Sequence, residues 1–195
     1  MIRETFKHLK EKYPDLYISS VSSLTLEEAR ILLDIPDIPN MPEKVVCDTT
    51  PIKDIFDSYD LSRIKRIVFH CTATPLNTSI SAILRYWKED LGWRNPGYHV
   101  MVKSNGEYKI THPFNKISNG VKGHNHDALH IAGIFGMLDN GNYEDNSTPE
   151  MKEVMEVFLE VALEKIPNLK VYGHYELAPK LCPLFEPKKE FKHLL

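Results

Sequence analysis

Two short runs, RIVFH at residues 66–70 and LKVYGH at residues 169–174, decide the fold class, because each is an apolar stretch that ends at a histidine. Short runs rich in β-branched and aromatic residues, bounded by turn residues, predict buried strands. His70 is followed by a Thr- and Pro-containing loop. His174 is followed by a second loop, in which Cys182 lies between Pro179 and Pro183. Each strand therefore delivers a histidine to a loop.

The sequence between these strands alternates strand and helix patterns. GYHVMVKSNGEYKIT (97–111) contains two strand-like runs around Asn105-Gly106, a strong hairpin signal, and ALHIAGIFG (128–136) predicts a buried strand. NTSISAILRYWKEDLGW (77–93) predicts a helix capped by Asn77 or Thr78, with an apolar face that extends to Leu91. We therefore expect an α/β domain with a mixed central β-sheet flanked by helices.

A second long helix is predicted by STPEMKEVMEVFLEVALEKI (147–166), which has Pro149 at its first position. Before residue 60 the sequence pattern is different, with helical segments and prolines in place of strand signals. Ile2, Phe6, Leu9 and Tyr13 recur at helical spacing, TLEEARILLDIP (25–36) carries a capping-box pattern, and prolines then interrupt regular structure. We predict a small, mostly helical N-terminal extension with an extended connector at 1–60 and a main domain at 61–195. The extension either packs on that domain or forms its own module.

Composition argues against several classes of partner. The chain of 195 residues has a net charge of −3, so no basic field favours nucleic acid. No run approaches the roughly 18 apolar residues of a membrane span, and the first residues lack the apolar core of a signal peptide. We expect synthesis in the cytoplasm, no membrane insertion, and a monomer. Three cysteines at no disulfide spacing favour reduced thiols or metal ligation.

The residue types at the two strand ends are suited to zinc. His70, His174 and Cys182 supply two nitrogens and one sulfur, which zinc takes in a tetrahedral site, and three protein ligands leave one position open for water. Because nine histidines offer many chance combinations, spacing alone does not decide. The other histidines, including His99, His112 and His130, are equally compatible with structural roles.

Four motifs occur in the order found in one enzyme family. Together they resemble the zinc-dependent N-acetylmuramoyl-L-alanine amidases of the type 2, peptidoglycan-recognition-protein superfamily, and most of all the bacteriophage amidases historically called lysozymes. The resemblance spans roughly residues 62–190. It is carried by IVFHCTAT (67–74), NPGYHVMVKSNGEY (95–108), KGHNHDAL (122–129) and GHYELAPKLCPLF (173–185).

The resemblance implies a role for each matching residue. Zn²⁺ would be held by His70, His174 and Cys182, and catalysis would use Tyr98 and Lys180. Tyr98 is also compatible with a packed strand residue, and Lys180 with a solvated loop cation. Cys71 adjoins a ligand, but successive strand residues face opposite sides. We therefore predict a buried thiol there, with a Cys71 nucleophile as the alternative.

The loop before KGHN departs from the family. Phage-type relatives usually carry a histidine at the position of Gly120. His124 or His126 nearby could compensate, or the groove could accept a different stem peptide. We predict that substrate contacts come from Trp93, Lys122, His124 and Asn125.

The leading hypothesis is a cell-wall lytic amidase of the endolysin type, which cleaves the bond between N-acetylmuramic acid and L-alanine in peptidoglycan and reaches the wall after export or lysis. The alternative is a non-enzymatic peptidoglycan-binding or phage-polymerase-regulating protein on the same scaffold. The N-terminal extension is a candidate surface for a protein partner.

Overall fold

The computed structural model describes residues 50–195. The helical segments predicted within residues 1–36, and Cys47, lie outside the described residues. The described part begins with helix α1 (Thr50–Asp57), so the end of the predicted connector is helical and not extended. Pro51 falls in the first turn of α1, where its missing N–H leaves no helical hydrogen bond unmade. The division of the chain at residue 60 stays a prediction.

The centre of the fold is a five-stranded mixed sheet, as predicted. Its order is β3-β2-β4-β1-β5, with β3 antiparallel to β2 and the other neighbouring pairs parallel. Gly106 has a φ of +79° in the β2–β3 hairpin, which a residue without a side chain adopts at little cost. The strands are β1 (Arg66–Cys71), β2 (Val100–Val102), β3 (Tyr108–Ile110), β4 (Ala128–Gly133) and β5 (Lys170–Gly173).

Helices cover both faces of this sheet. Helix α3 (Pro149–Lys165) packs against β2 and β4, and helix α2 (Ile80–Arg85) packs on the opposite face. A short helix, α4 (Pro187–Glu190), packs against β5. Because strand side chains alternate, Ala132 contacts the α2 cluster, whereas a Cβ on Gly133 would meet Met151 of α3. None of the helices between residues 50 and 195 has the length and apolar character to cross a membrane.

The predicted α2 region differs from the structure at both ends. Ser79 is its cap, not Asn77 or Thr78, because the Ser79 side chain accepts the backbone N–H of Ala82 at 3.2 Å. After Arg85 the helix continues as a π-helical turn over Tyr86–Asp90. The wider turn changes the angular spacing of the side chains, and Leu91, which we predicted on the apolar face, is 42% exposed.

Candidate metal centre and active site

Strands β1 and β5 bring His70 and His174 to the same edge of the sheet. The strands are parallel neighbours, and their last registered pair is Phe69 with Gly173. The next residue on each strand is a histidine, so the two side chains emerge side by side. Their Nδ1 atoms lie 3.2 Å apart.

The loop after β5 presents Cys182 to the same place. The backbone N–H of Tyr175 donates to the carbonyl of Cys182 at 2.8 Å, which closes the loop on itself. The backbone N–H of Cys71 then donates to Cys182 Sγ at 3.1 Å, and this sulfur lies 3.7 Å from His70 Nδ1. The donor atoms of His70, His174 and Cys182 all lie within 4.8 Å of one another.

These separations suit one zinc ion. Zinc lies about 2.0–2.1 Å from imidazole nitrogens and about 2.3 Å from thiolate sulfur, so a tetrahedral site separates two nitrogens by about 3.4 Å and nitrogen from sulfur by about 3.6 Å. The corresponding distances here are 3.2 Å and 3.7 Å. Two of the three ligand separations therefore match a tetrahedral zinc site, and the donor atoms of all three residues lie within 4.8 Å of one another.

The protonation of the two histidines also favours a metal. Burial lowers the pKa of His70 well below its usual value and lowers that of His174 as well, so both rings are neutral at pH 7. A neutral imidazole is the form that ligates. The contact with Cys71 and burial raise the pKa of the Cys182 thiol, so coordination itself would have to displace the thiol proton.

The second ring nitrogen of His70 bonds within the protein. His70 Nε2 lies 2.9 Å from Nδ1 of His130, a fully buried residue of β4. This contact was not predictable from a motif, because a lone histidine in an apolar strand belongs to none. The two available signals were the polar residue in the middle of ALHIAG and the unexpected Gly120.

Tyr98 lies beside the metal triad. Its ring centroid is 4.7 Å from that of His70, and its hydroxyl donates to the carbonyl of Cys71 at 3.5 Å. Burial, with a smaller contribution from the charges of Cys182 and Cys71, raises the pKa of Tyr98 well above its usual value. The phenol therefore keeps its proton at neutral pH and can act as a hydrogen-bond donor. The long 3.5 Å contact leaves the hydroxyl only weakly engaged.

Lys180 is exposed and belongs to the loop that carries Cys182. After burial, its positive charge is the next cause that lowers the pKa of His174. The ammonium group is thus close enough for its field to act on the triad.

The predicted substrate contacts lie on two different segments. Trp93 is half-buried and stacks on Trp87, with ring centroids 6.0 Å apart, and it packs against the α2 cluster. Trp87 itself is buried, which agrees with a core role for that ring.

Lys122, His124 and Asn125 follow Gly120 in one loop. Lys122 is exposed, and Nδ1 of His124 lies 3.4 Å from the guanidinium of Arg66. The side-chain oxygen of Asn125 accepts a hydrogen bond from the backbone N–H of Val121 at 2.6 Å, and this bond stabilises the loop that contains both residues. The roles of these three residues and of Trp93 in substrate binding stay predictions.

Cys71 is a buried free thiol, as predicted, with 4% of its surface exposed. It also hydrogen-bonds to the thiol of Cys182. Spacing did not predict this contact, because it depends on the path of the Cys182 loop. A buried thiol is inaccessible to a substrate, which argues against Cys71 as the nucleophile.

Comparison with known proteins finds sequence relatives among phage endolysins. No family model matches the chain. It is 29% identical over 124 residues to the endolysin of Escherichia phage T7, a match that covers 63% of this chain and 82% of that protein. Among solved structures, the Ph2119 endolysin of a Thermus scotoductus bacteriophage is similar at 26% identity with a TM-score of 0.57, over 67% of this chain and 84% of that one.

Two more distant structures share the fold. The N-acetylmuramoyl-L-alanine amidase LysCS from Clostridium intestinale is 21% identical with a TM-score of 0.58, over 67% of this chain and 82% of that one. The peptidoglycan-recognition protein PGRP-SA of Apis mellifera is 19% identical with a TM-score of 0.57, over 67% and 82%. The sequence is thus similar to those of phage endolysins, and the fold is shared with amidase and peptidoglycan-recognition-protein structures. The described residues of this chain combine two histidines and a cysteine at metal-binding distance.

Proposed function

We propose that this protein is a zinc-dependent N-acetylmuramoyl-L-alanine amidase, which hydrolyses the amide between the lactyl group of muramic acid and L-alanine in bacterial peptidoglycan. The observation that carries the proposal is the convergence of His70, His174 and Cys182 at one sheet edge. The similarity to phage endolysins and to a named amidase supports the substrate class.

His70, His174 and Cys182 would hold the zinc ion. When bound, zinc would supply Lewis-acid activation of water and of the scissile carbonyl. Three protein ligands suit this role, since a fourth would close the site.

Tyr98 and Lys180 would act on the substrate. Attack on an amide builds negative charge on the carbonyl oxygen, and donors aimed at that oxygen lower the barrier. Tyr98 keeps its proton and lies against His70, so its hydroxyl can donate there. The ammonium of Lys180 adds positive charge on the loop side, and either group can protonate the departing amine.

A cell-wall substrate fixes where the protein works. It would act on the wall after export or lysis, as a monomer, with Trp93, Lys122, His124 and Asn125 contacting the sugar and peptide. The segment 1–60 is a candidate surface for a protein partner.

The direct test is release of peptides that begin with L-alanine from purified peptidoglycan. Protein stripped of metal should be inactive and should recover on addition of one equivalent of zinc. Cys182→Ser and His174→Ala should lose both metal and turnover, whereas His193→Ala, which changes an exposed histidine outside the triad and outside the Gly120 loop, should retain both.

The non-enzymatic alternative gives a different result. If zinc-loaded protein binds peptidoglycan but releases no peptide where a control amidase does, the protein is a binder and not an enzyme. Retention of the triad together with Tyr98 and Lys180 favours hydrolysis, because pure binding needs no open metal site.

A further inference from the structure

We propose that His130 is a positioning residue of the metal centre: by accepting a hydrogen bond from His70 it fixes the ring so that Nδ1 faces the metal, and it occupies the space that a side chain at position 120 would need. The inference rests on the zinc site of the proposed function. It concerns a residue outside the ligand triad and outside the four family motifs.

The contact itself requires one tautomer. For Nδ1 of His70 to offer a lone pair beside His174 and Cys182, the ring proton must be on Nε2. That Nε2–H then donates to His130 Nδ1, 2.9 Å away. Metal-bound histidines commonly donate their other N–H to a protein acceptor, which orients the ring and raises ligand basicity.

The surroundings of His130 hold it in place for this contact. Its side chain is fully buried, and its ring lies parallel to that of His99, with an interplanar angle of 4° and centroids 5.8 Å apart. Its backbone N–H donates to His99 Nδ1 at 3.0 Å, and its carbonyl accepts the backbone N–H of His99 at 2.9 Å. The imidazole therefore has little freedom to turn away from His70.

An apolar residue at position 130 would be more favourable for folding than the histidine. His130 Nε2 is buried and has no hydrogen-bond partner among the described residues, which is a cost to folding. The neighbours Leu129 and Ile131 are buried and apolar. The only side-chain hydrogen bond of His130 within residues 50–195 is the one with His70, a candidate metal ligand. This contact points to a role of His130 in the metal site.

Gly120 is explained by the same contact. A Cβ at position 120 would lie 2.4 Å from Nδ1 and 2.5 Å from Cγ of His130, far inside contact distance. A residue with a Cβ at position 120 therefore cannot coexist with His130 in this arrangement. The two positions share one volume, and in this chain strand β4 supplies the imidazole that fills it.

The test measures zinc affinity by competition with a chromophoric chelator and the visible spectrum of the Co²⁺-substituted protein, both without substrate. His130→Leu keeps the volume and removes the acceptor, so it should weaken zinc binding about 10- to 100-fold and shift the Co²⁺ bands. His130→Asn, whose amide reaches the place of Nδ1, should stay within about threefold of wild type. His112→Leu changes a histidine that contacts none of the triad and should leave both readouts unchanged.

A double-mutant cycle covers the case in which His130→Leu does not fold. Gly120→His alone should destabilise the protein, and His130→Gly alone should weaken zinc binding. The combined G120H and H130G variant should fold and bind zinc at least about tenfold more tightly than His130→Gly. Wild-type affinity and spectrum in His130→Leu, or no gain in the double variant, would overturn the inference. If the wild type binds zinc but releases no peptide, only the proposed function fails.

Discussion

Four histidines lie at or near the proposed metal site: His70, His99, His130 and His174. Burial lowers the pKa of each, so all four are uncharged at neutral pH. His99 shows the cause most simply. Its Nδ1 accepts the N–H of His130, and its Nε2 faces the Lys116 carbonyl at 3.0 Å, so the neutral ring is fully used. A second proton on Nδ1 would face the backbone N–H of His130, which is itself a donor.

This arrangement predicts how stability depends on pH. The pKa of His99 falls from 6.5 to about 3, so between these values the unfolded chain binds more protons than the folded one. The stabilisation is complete above pH 6.5 and is lost as the pH falls towards 3, by up to about 1.4 kcal/mol per pH unit for this group.

Urea unfolding of metal-free protein at pH 4–7 measures this dependence. Because the side chain of His99→Asn does not titrate, its unfolding free energy should depend less steeply on pH. The difference should correspond to about one proton fewer taken up on unfolding. An equal pH dependence of the unfolding free energy in the wild type and in His99→Asn would show that the pKa of His99 is not lowered in the folded protein.

Tyr98 gives a prediction about catalysis. Tyr98→Phe removes the hydroxyl proposed as donor to the reacting oxygen, but it removes only a 3.5 Å contact within the protein. The value of kcat should fall about 10²- to 10³-fold, while zinc affinity and stability stay close to wild type. Peptide release under saturating substrate measures this, and the exposed Tyr143→Phe is the control. Unchanged kcat would leave Tyr98 as a packing residue only.

At the level of elements, the strand order explains why the site forms where it does. Parallel β1 and β5 place two histidines at one edge, and the Cys182 loop returns to the same edge through backbone hydrogen bonds. The sequence predicted both strands and all three ligand candidates, because the motifs contain the strand ends. It did not predict the π-helical turn that exposes Leu91, since local periodicity assumes a regular helix.

The His130 contact was not predictable for a different reason. It depends on the relative position of β4, β1 and the loop at Gly120, which are distant in sequence. Motifs encode residues that act through local spacing, whereas a positioning residue is visible only after the strands are paired.

Helix α3 offers a test of an element boundary. Thr148 caps it by accepting the N–H of Met151 at 3.2 Å, and its hydroxyl donates to the carbonyl of Ser104 in the hairpin. Thr148→Ala should lower the free energy of unfolding by about 1–2 kcal/mol, because it removes both bonds. Thr148→Ser keeps the hydroxyl and should cost much less. Denaturant unfolding compares the two, and equal losses would mean that the methyl group, not the cap, matters.

At the level of the whole molecule, helix α1 packs into the core of the described residues. Phe56 of α1 is fully buried, and its ring is 5.0 Å from Phe114 and 6.3 Å from Phe158 of α3. Lys53 and Glu164 add an ion pair at 2.7 Å on the surface of the same contact. Helix α1 thus contributes core residues to the described part of the chain, and a chain that began at residue 61 would lack them.

Truncation tests this directly. Phe56→Ala in the full chain should cost about 3–5 kcal/mol of unfolding free energy. A chain of residues 61–195 should lose at least as much stability, whereas a chain of residues 50–195 should retain the Phe56 packing. Denaturant unfolding of the three proteins checks this order. Equal stability of the two truncated chains would show that α1 is dispensable.

The central claim is that His70, His174 and Cys182 form one open zinc site. X-ray absorption spectroscopy at the zinc edge, with metal analysis, tests it most directly. We predict one zinc per chain with two nitrogens at about 2.0–2.1 Å, one sulfur at about 2.3 Å and one further light atom from solvent, and loss of the sulfur signal in Cys182→Ser. No stoichiometric zinc, a site with a fourth protein ligand, or an unchanged spectrum in Cys182→Ser would contradict the account.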